Sequence, residues 1–340
     1  MIVRSKAPLR LGLAGGGTDV APFSELYGGA ILNATISMYA YATIRPARDG
    51  KIIFNALDKQ ERIVLDSAEI LEIDGSLDLH KGIYNRIVRD FTGNPLSFEL
   101  STYVDAPPGS GLGTSSTLVV AILGAFAEWL NLPLGEYDMA HLAFAIERVD
   151  LGMAGGKQDQ YAATFGGVNF MEFSKEDKVI VNPLRIREKY LDELAHNLVL
   201  YHTATSRLSS VIIEQQTKNV IAGNQKSLEA MHKLKEQAVM MKEAMLKGEL
   251  DKIGQILDFG WKFKKNLAEG VSNPYLDSLY EAAMRVGATG GKVSGAGGGG
   301  FIFFYCPNNT RHEVIRVLEQ SGGQAKRYEF TSKGLTTWTF

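Results

Sequence analysis

The 340-residue sequence contains a single cysteine, Cys306, so it can close no internal disulfide and offers no cysteine-based metal site. That usage fits a reducing compartment, and a cytoplasmic location is expected. Long hydrophobic runs are also missing. The longest, 118–127, is stopped by Glu128, whereas a membrane-spanning helix needs about 20 apolar residues, so the run is read as a buried helix. Residues 1–6 mix charge and apolarity and lack the apolar centre of a secretion signal, so export is not expected. Nor is there an excess of one charge. With 36 basic and 38 acidic residues and a net charge of −2, the chain lacks the electrostatic footprint of a nucleic-acid binder, and any anionic ligand has to be held locally.

Two common nucleotide signatures are absent as well. No stretch satisfies the phosphate-loop pattern G-x-x-x-x-G-K-[ST]. In the dinucleotide pattern G-x-G-x-x-G the third glycine falls on Thr114 when counted from Gly109 and Gly111, and on Val20 when counted from Gly15 and Gly17. What is present is an ordinary globular mixture, 45% hydrophobic and 22% charged, in a chain long enough for two domains with a cleft between them.

The first half reads as strand-rich. Leu9, Leu11 and Leu13 alternate with other residues, and 39–44, 51–54, 62–65 and 96–104 continue the pattern. Helices are expected over 81–91, 115–130 and 136–149, the last from the spacing of Ala140, Ala143, Ile146 and Val149. After a strand at 166–173 and a charged stretch, long helices are expected over 211–221, 225–247, 250–267 and 274–286. A glycine-rich loop at 287–300, a strand at 301–305 and a helix at 310–320 follow. The mixed order indicates an α+β protein with domains at 1–185 and 186–340 that pack closely.

Three glycine clusters carry the chemistry. Pro107-Pro108-Gly109-Ser110-Gly111-Leu112-Gly113-Thr114-Ser115-Ser116 runs directly into the apolar helix, where glycines let successive N–H groups face one point and the helix dipole favours an anion. The hydroxyls of Thr114, Ser115 and Ser116 can either cap the helix or reach a phosphate-bound Mg²⁺. The other clusters are Pro8-Leu9-Arg10-Leu11-Gly12-Leu13-Ala14-Gly15-Gly16-Gly17-Thr18-Asp19 and Lys292-Val293-Ser294-Gly295-Ala296-Gly297-Gly298-Gly299-Gly300. Clusters at both ends and the middle of the chain suggest one shared site. Glu147, Asp159 of Gly155-Gly156-Lys157-Gln158-Asp159-Gln160, and Arg10 are available as the carboxylates and cation that phosphoryl transfer needs, although by pattern alone each is more often a surface charge.

These three clusters, in order, resemble the motifs of the superfamily of galactokinase, homoserine kinase, mevalonate kinase and phosphomevalonate kinase, the GHMP kinases, over nearly the whole chain. The resemblance implies ATP and Mg²⁺, an N-terminal α/β domain whose phosphate loop feeds a helix, and a C-terminal split βαβ (ferredoxin-like) domain. Residues 108–116, Pro108, Gly109, Ser110, Gly111, Leu112, Gly113, Thr114, Ser115 and Ser116, match the nucleotide-binding motif. Ser115 and Glu147 are the implied metal ligands. Asp159, twelve residues after Glu147, is the implied catalytic aspartate, and Arg10 of Ala7-Pro8-Leu9-Arg10 stands where the family has its basic catalytic residue.

Galactokinases carry G-E-H-T-D where this chain has Gly15-Gly16-Gly17-Thr18-Asp19, so two bulky sugar-facing side chains are missing and a larger or anionic acceptor is expected. Within the superfamily the pattern, with Thr203-Ala204-Thr205-Ser206-Arg207, is most similar to the heptose 7-phosphate kinases, which act at the anomeric hydroxyl on the way to GDP-heptose. Gly16, Gly17, Thr18, Asp19, Gly297 and Gly298 are the acceptor-side candidates, and Lys157 and Arg207 the candidates for a clamp on the distal phosphate. L-Fucokinases share Gly-Gly-x-Gln-Asp-Gln and are the enzymatic alternative. A non-catalytic ATP- and sugar-binding regulator is the alternative of another class. An isoprenoid-pathway kinase is disfavoured because Thr18 and Asp19 suit a polyol.

Overall fold

The computed structural model describes residues 1–205 and 209–340. In chain order the first half comprises β1 (Val3–Ala14), α1 (Phe23–Tyr27), β2 (Gly29–Pro46), β3 (Lys51–Ala56), β4 (Glu61–Asp66), α2 (Asp78–Ile87), β5 (Phe98–Val104), α3 (Thr114–Leu130), α4 (Glu136–Phe144), α5 (Gln158–Phe165), β6 (Val168–Phe173) and β7 (Val179–Pro183). The second half comprises α6 (Glu188–Asn197), β8 (Leu198–His202), α7 (Ser209–Ile221), α8 (Gln225–Lys247), α9 (Ile253–Lys264), α10 (Pro274–Arg285), β9 (Gly290–Val293), β10 (Phe301–Tyr305), α11 (Arg311–Glu319), β11 (Gln324–Lys326) and β12 (Thr336–Thr339).

The first sheet runs β12-β1-β2-β5-β3-β4, with β6 on the other part of β2 and β7 beyond it. Its pairs are antiparallel except β3 with β5. The sequence pattern shows only the second half of β2, because residues 29–36 are buried throughout and lack the period-two alternation of a half-exposed strand. The apolar run predicted as a buried helix is α3, which packs on β1 and β2. The second sheet, β11-β8-β10-β9, is antiparallel. Its β-α-β-β-α-β connection, with α7 to α10 between β8 and β9, is the expected split βαβ arrangement.

One hydrophobic core joins Leu9 and Leu11 of β1, Val119 and Ile122 of α3, Met241 of α8, and Leu200 and Phe303 of the second sheet. We propose 1–185 and 186–340 as the two units. β12 returns from the second to pair with Val3 to Lys6 of β1. Among the described residues no helix is long and apolar enough to cross a membrane.

Two helices widen near their ends. The helix expected over 136–149 becomes a π-turn at Ala145–Asp150. The wider turn changes the facing, so Val149, expected inward, is 70% exposed and Glu147 is fully buried. The helix expected over 81–91 likewise starts at Asp78 and passes into a π-turn at Val88–Thr92.

Candidate active site

β12 ends its pairing at Lys6, which leaves the edge of β1 open beyond that point. There the Arg10 N–H donates to the Leu112 carbonyl at 3.1 Å and docks the central glycine cluster on the strand. A register irregularity between Pro8 and Arg10 re-aims the strand at this place. The buried Arg10 guanidinium then donates through Nε to Asp159 Oδ1 at 2.7 Å, pairs with the same oxygen through Nη2 at 2.7 Å, and donates through Nη1 to the Gly111 carbonyl at 2.5 Å. Asp159 sits in the first turn of α5. Gly113 has φ +80°, which strains any other residue, and a Cβ there would stand in tight contact, 3.1 Å, with the Asp159 carboxyl carbon. The third cluster closes on the second: Ser294 Oγ donates to the Gly111 carbonyl at 2.7 Å, and the Phe301 N–H to the Ser110 carbonyl at 2.9 Å.

On the other side of the loop, α3 starts without a side-chain cap, so its leading N–H groups are not consumed. The hydroxyls turn to Glu147 instead. Ser115 Oγ donates to Glu147 Oε1, and Ser116 Oγ to Oε2 at 2.6 Å. Gln160 Nε2 donates to Oε2 at 2.7 Å, and Arg148 Nη1 lies 3.2 Å from Oε1. Four polar groups thus hold one fully buried carboxylate. Arg10, Gly16, Gly17, Asp19, Gly111, Gly113, Thr114, Ser115, Glu147, Asp159 and Gly295 all face a single cavity of about 800 Å³. Among the described residues no three His, Cys, Asp or Glu side chains cluster as a metal cage. The hard oxygens of Ser115 and Glu147 fit instead a Mg²⁺ that takes its remaining ligands from phosphates and water.

Residues 78–167 match the family model "GHMP kinases N terminal domain", and residues 241–324 match "GHMP kinases C terminal". The chain is 51% identical over 336 residues to a D-glycero-alpha-D-manno-heptose 7-phosphate kinase of Campylobacter jejuni, covering 99% of this chain and 98% of that one. The chain belongs to the GHMP kinases. This family uses ATP, and the protein is a phosphotransferase with a hydroxyl acceptor. It also resembles a solved structure described as a D-glycero-D-manno-heptose 1-phosphate kinase from Bacteroides thetaiotaomicron, with a TM-score of 0.86, 48% identity and 99% of each chain covered. An L-fucokinase/L-fucose-1-P guanylyltransferase of Bacteroides fragilis is 24% identical over 98% of this chain, which spans 38% of that protein's length.

Several expected acceptor residues of this GHMP kinase stand elsewhere. Lys157 is buried but turned from the cavity, bound to Glu25 Oε1 at 2.7 Å and Asp177 Oδ1 at 2.6 Å, so two carboxylates consume the charge a phosphate clamp would need. Thr18 is fully buried, its hydroxyl donating to the carbonyls of Gly15 and Ala30 and accepting from the Ala30 N–H at 3.1 Å, which makes it a lock on the turn. Gly297 and Gly298 pack against Val271, and Gly295 and Ala296 line the cavity in their place. Ser110 and Leu112 are buried behind the loop, which Pro108, Gly109, Gly111, Gly113, Thr114, Ser115 and Ser116 present. Arg207 lies outside the described residues.

Asp19 is where the first motif leads the eye. It accepts from the Gln158 N–H at 3.0 Å, its Oδ1 has no partner among the described residues, and a Cβ on Gly156 would overlap its carboxylate. Burial pushes its pKa up. Lys264, at the end of α9, also lines the cavity, and nothing local in the sequence marks it, because a lysine near a helix C-terminus looks like an ordinary dipole partner.

Proposed function

We propose that this kinase transfers the γ-phosphoryl group of MgATP to the anomeric hydroxyl of D-glycero-D-manno-heptose 7-phosphate, giving the 1,7-bisphosphate for GDP-heptose synthesis. The observation that carries the transfer step is that Asp159, held at Oδ1 by Arg10, faces the same cavity as Ser115 and Glu147. The identity to the Campylobacter enzyme supports this acceptor.

In this reading Asp159 Oδ2 accepts the hydrogen bond of the acceptor hydroxyl and takes its proton as the new P–O bond forms and the bond from the γ-phosphorus to the bridging oxygen breaks, ADP leaving with that electron pair. Arg10 orients Asp159, and its remaining N–H groups face the transferring phosphoryl. The N–H groups of the loop and of the α3 N-terminus receive phosphate oxygens. Ser115 and Glu147 would hold Mg²⁺, which would offset the negative charge of the phosphates. Asp19, with one oxygen unpartnered among the described residues, accepts from a sugar hydroxyl. Gly16 and Gly17 leave room beside it.

The name of the Bacteroides relative implies a heptose 1-phosphate as acceptor, so product analysis is the decisive test. The purified chain is incubated with MgATP and heptose 7-phosphate, ADP release is followed, and the product is examined by phosphorus NMR. The expected result is stoichiometric ADP and a new anomeric phosphate signal. Turnover of heptose 1-phosphate or L-fucose but not heptose 7-phosphate would reassign the acceptor.

A further inference from the structure

Three of the described residues lining the cavity are basic: Arg10, Arg148 and Lys264. Arg10 is paired with Asp159 and Arg148 with Glu147. Lys264 is different. Its side chain is buried, and its ammonium donates to two neutral main-chain carbonyls, Val293 at 3.3 Å and Gly295. Among the described residues no carboxylate lies within ion-pair reach of it. An ammonium carries three N–H donors, so these two carbonyls leave one for the cavity.

The surroundings add to the imbalance. Arg10 acts on Lys264 from β1, Lys292 faces it from β9, and Asp19 is the acidic group in range from the turn after β1, while Asp159 on α5 is already taken by Arg10. Burial first, then Arg10, pushes the Lys264 pKa down to about 7, with Asp19 opposing. Lys292, whose Nζ donates to the Gly12 carbonyl at 2.8 Å, is pushed well below its usual value by burial and by Lys264 and Arg10. A buried cation without a counter-ion is costly, and the cost is relieved when an anion arrives.

We propose that Lys264 is a substrate-binding residue whose free N–H receives a phosphoryl oxygen lying between Arg10, Asp19 and the Gly295 turn. This deepens the kinase reading above and rests on it. Two substrates carry such an oxygen: the acceptor, in its own phosphate, and ATP, in the group transferred.

The test compares wild type with Lys264→Met, with MgATP and either heptose 7-phosphate or the unphosphorylated heptose. The expected result is a loss of about tenfold or more in kcat/KM with the sugar phosphate, the size of one charge-assisted hydrogen bond. A loss confined to the phosphorylated sugar, mainly in KM, identifies the acceptor's phosphate. An equal fall in kcat with both sugars identifies the transferred group. Values within about twofold of wild type for both sugars overturn the proposal. Circular dichroism and Tm verify folding, and Lys264→Gln, which can still donate to the carbonyls, replaces the methionine variant if that does not fold. Thermal stabilisation by inorganic phosphate decides the matter without turnover, and so separates failure of this proposal from failure of the acceptor assignment. Loss of the phosphate-induced Tm shift on substitution supports Lys264, and an unchanged shift removes it.

Discussion

Arg10 directs Nε and Nη2 at the same oxygen of Asp159, Oδ1, each at 2.7 Å, and leaves Oδ2 to the cavity beside Gly113. The pair thereby separates two tasks within one carboxylate: one oxygen anchors, the other is available to the acceptor. Asp159→Asn keeps the shape but removes the base, so kcat should fall roughly 100-fold or more while KM for MgATP changes little. Steady-state kinetics with both substrates checks this. A near-normal kcat would leave Asp159 a structural partner of Arg10.

Glu147 is the group most dependent on its partners, since Ser115, Ser116, Gln160 and Arg148 all converge on it. In Glu147→Gln the neutral amide is a poor Mg²⁺ ligand, so the metal concentration for half-maximal rate should rise by about tenfold or more. Titration of activity with Mg²⁺ reads this, and excess chelator should abolish turnover in wild type. Full activity in chelator would rule out the metal role of Ser115 and Glu147.

Lys157 supplies the contrast to Lys264. Its partners Glu25 and Asp177 come from the segments before β2 and β7, so Lys157→Met should lower Tm by several degrees. The kcat/KM for the sugar phosphate should stay within about twofold of wild type. A selective rise in KM for the phosphorylated acceptor at unchanged Tm would restore Lys157 to the site.

His80 gives the fold an acid-sensitive point. It is buried beside Phe54 and Thr102, and burial, helped by Lys59, lowers its pKa from 6.5 to about 4. The folded state holds the neutral ring while the unfolded chain binds a proton more readily. Stability from this group is therefore complete above pH 6.5 and is lost as pH falls from 6.5 towards 4, by roughly 3 kcal/mol in all. Urea unfolding of wild type and His80→Gln across that range measures the difference. Equal slopes of stability against pH would show that His80 does not titrate there.

How far the sequence could be read depended on whether a residue's neighbours were local. The glycine-rich loop was legible because its glycines and the helix after it are contiguous, and motif resemblance picked out Asp159, Glu147, Ser115 and Arg10, which line one cavity. The first half of β2 was not, because burial on both faces erases alternation. The inward turn of Glu147 was not either, since a helical period of 3.6 points Val149 to the core and only the π-turn reverses that. Lys157 differs from the expectation for a related reason. Lys157 shares a motif with Asp159, yet the first turn of α5 points the aspartate into the cavity while the lysine before it meets two carboxylates distant in the chain.

By itself, then, the sequence determined the elements with local causes: the glycine-rich loop, the apolar helix it feeds, the long helices of the second half, and an inventory of groups suited to phosphoryl transfer. Only the tertiary structure decided which of those groups share a cavity. Arg10 and Asp159 are brought together by an open stretch of β1 edge, and Lys264 joins them from 254 residues further along the chain than Arg10. Charge pairing is a property of distance in space, and sequence separation does not encode it. Lys157 and Lys264 are therefore both plain lysines in the sequence, and only packing gives the first two carboxylate partners and sets the second, among the described residues, on two main-chain carbonyls beside the cavity.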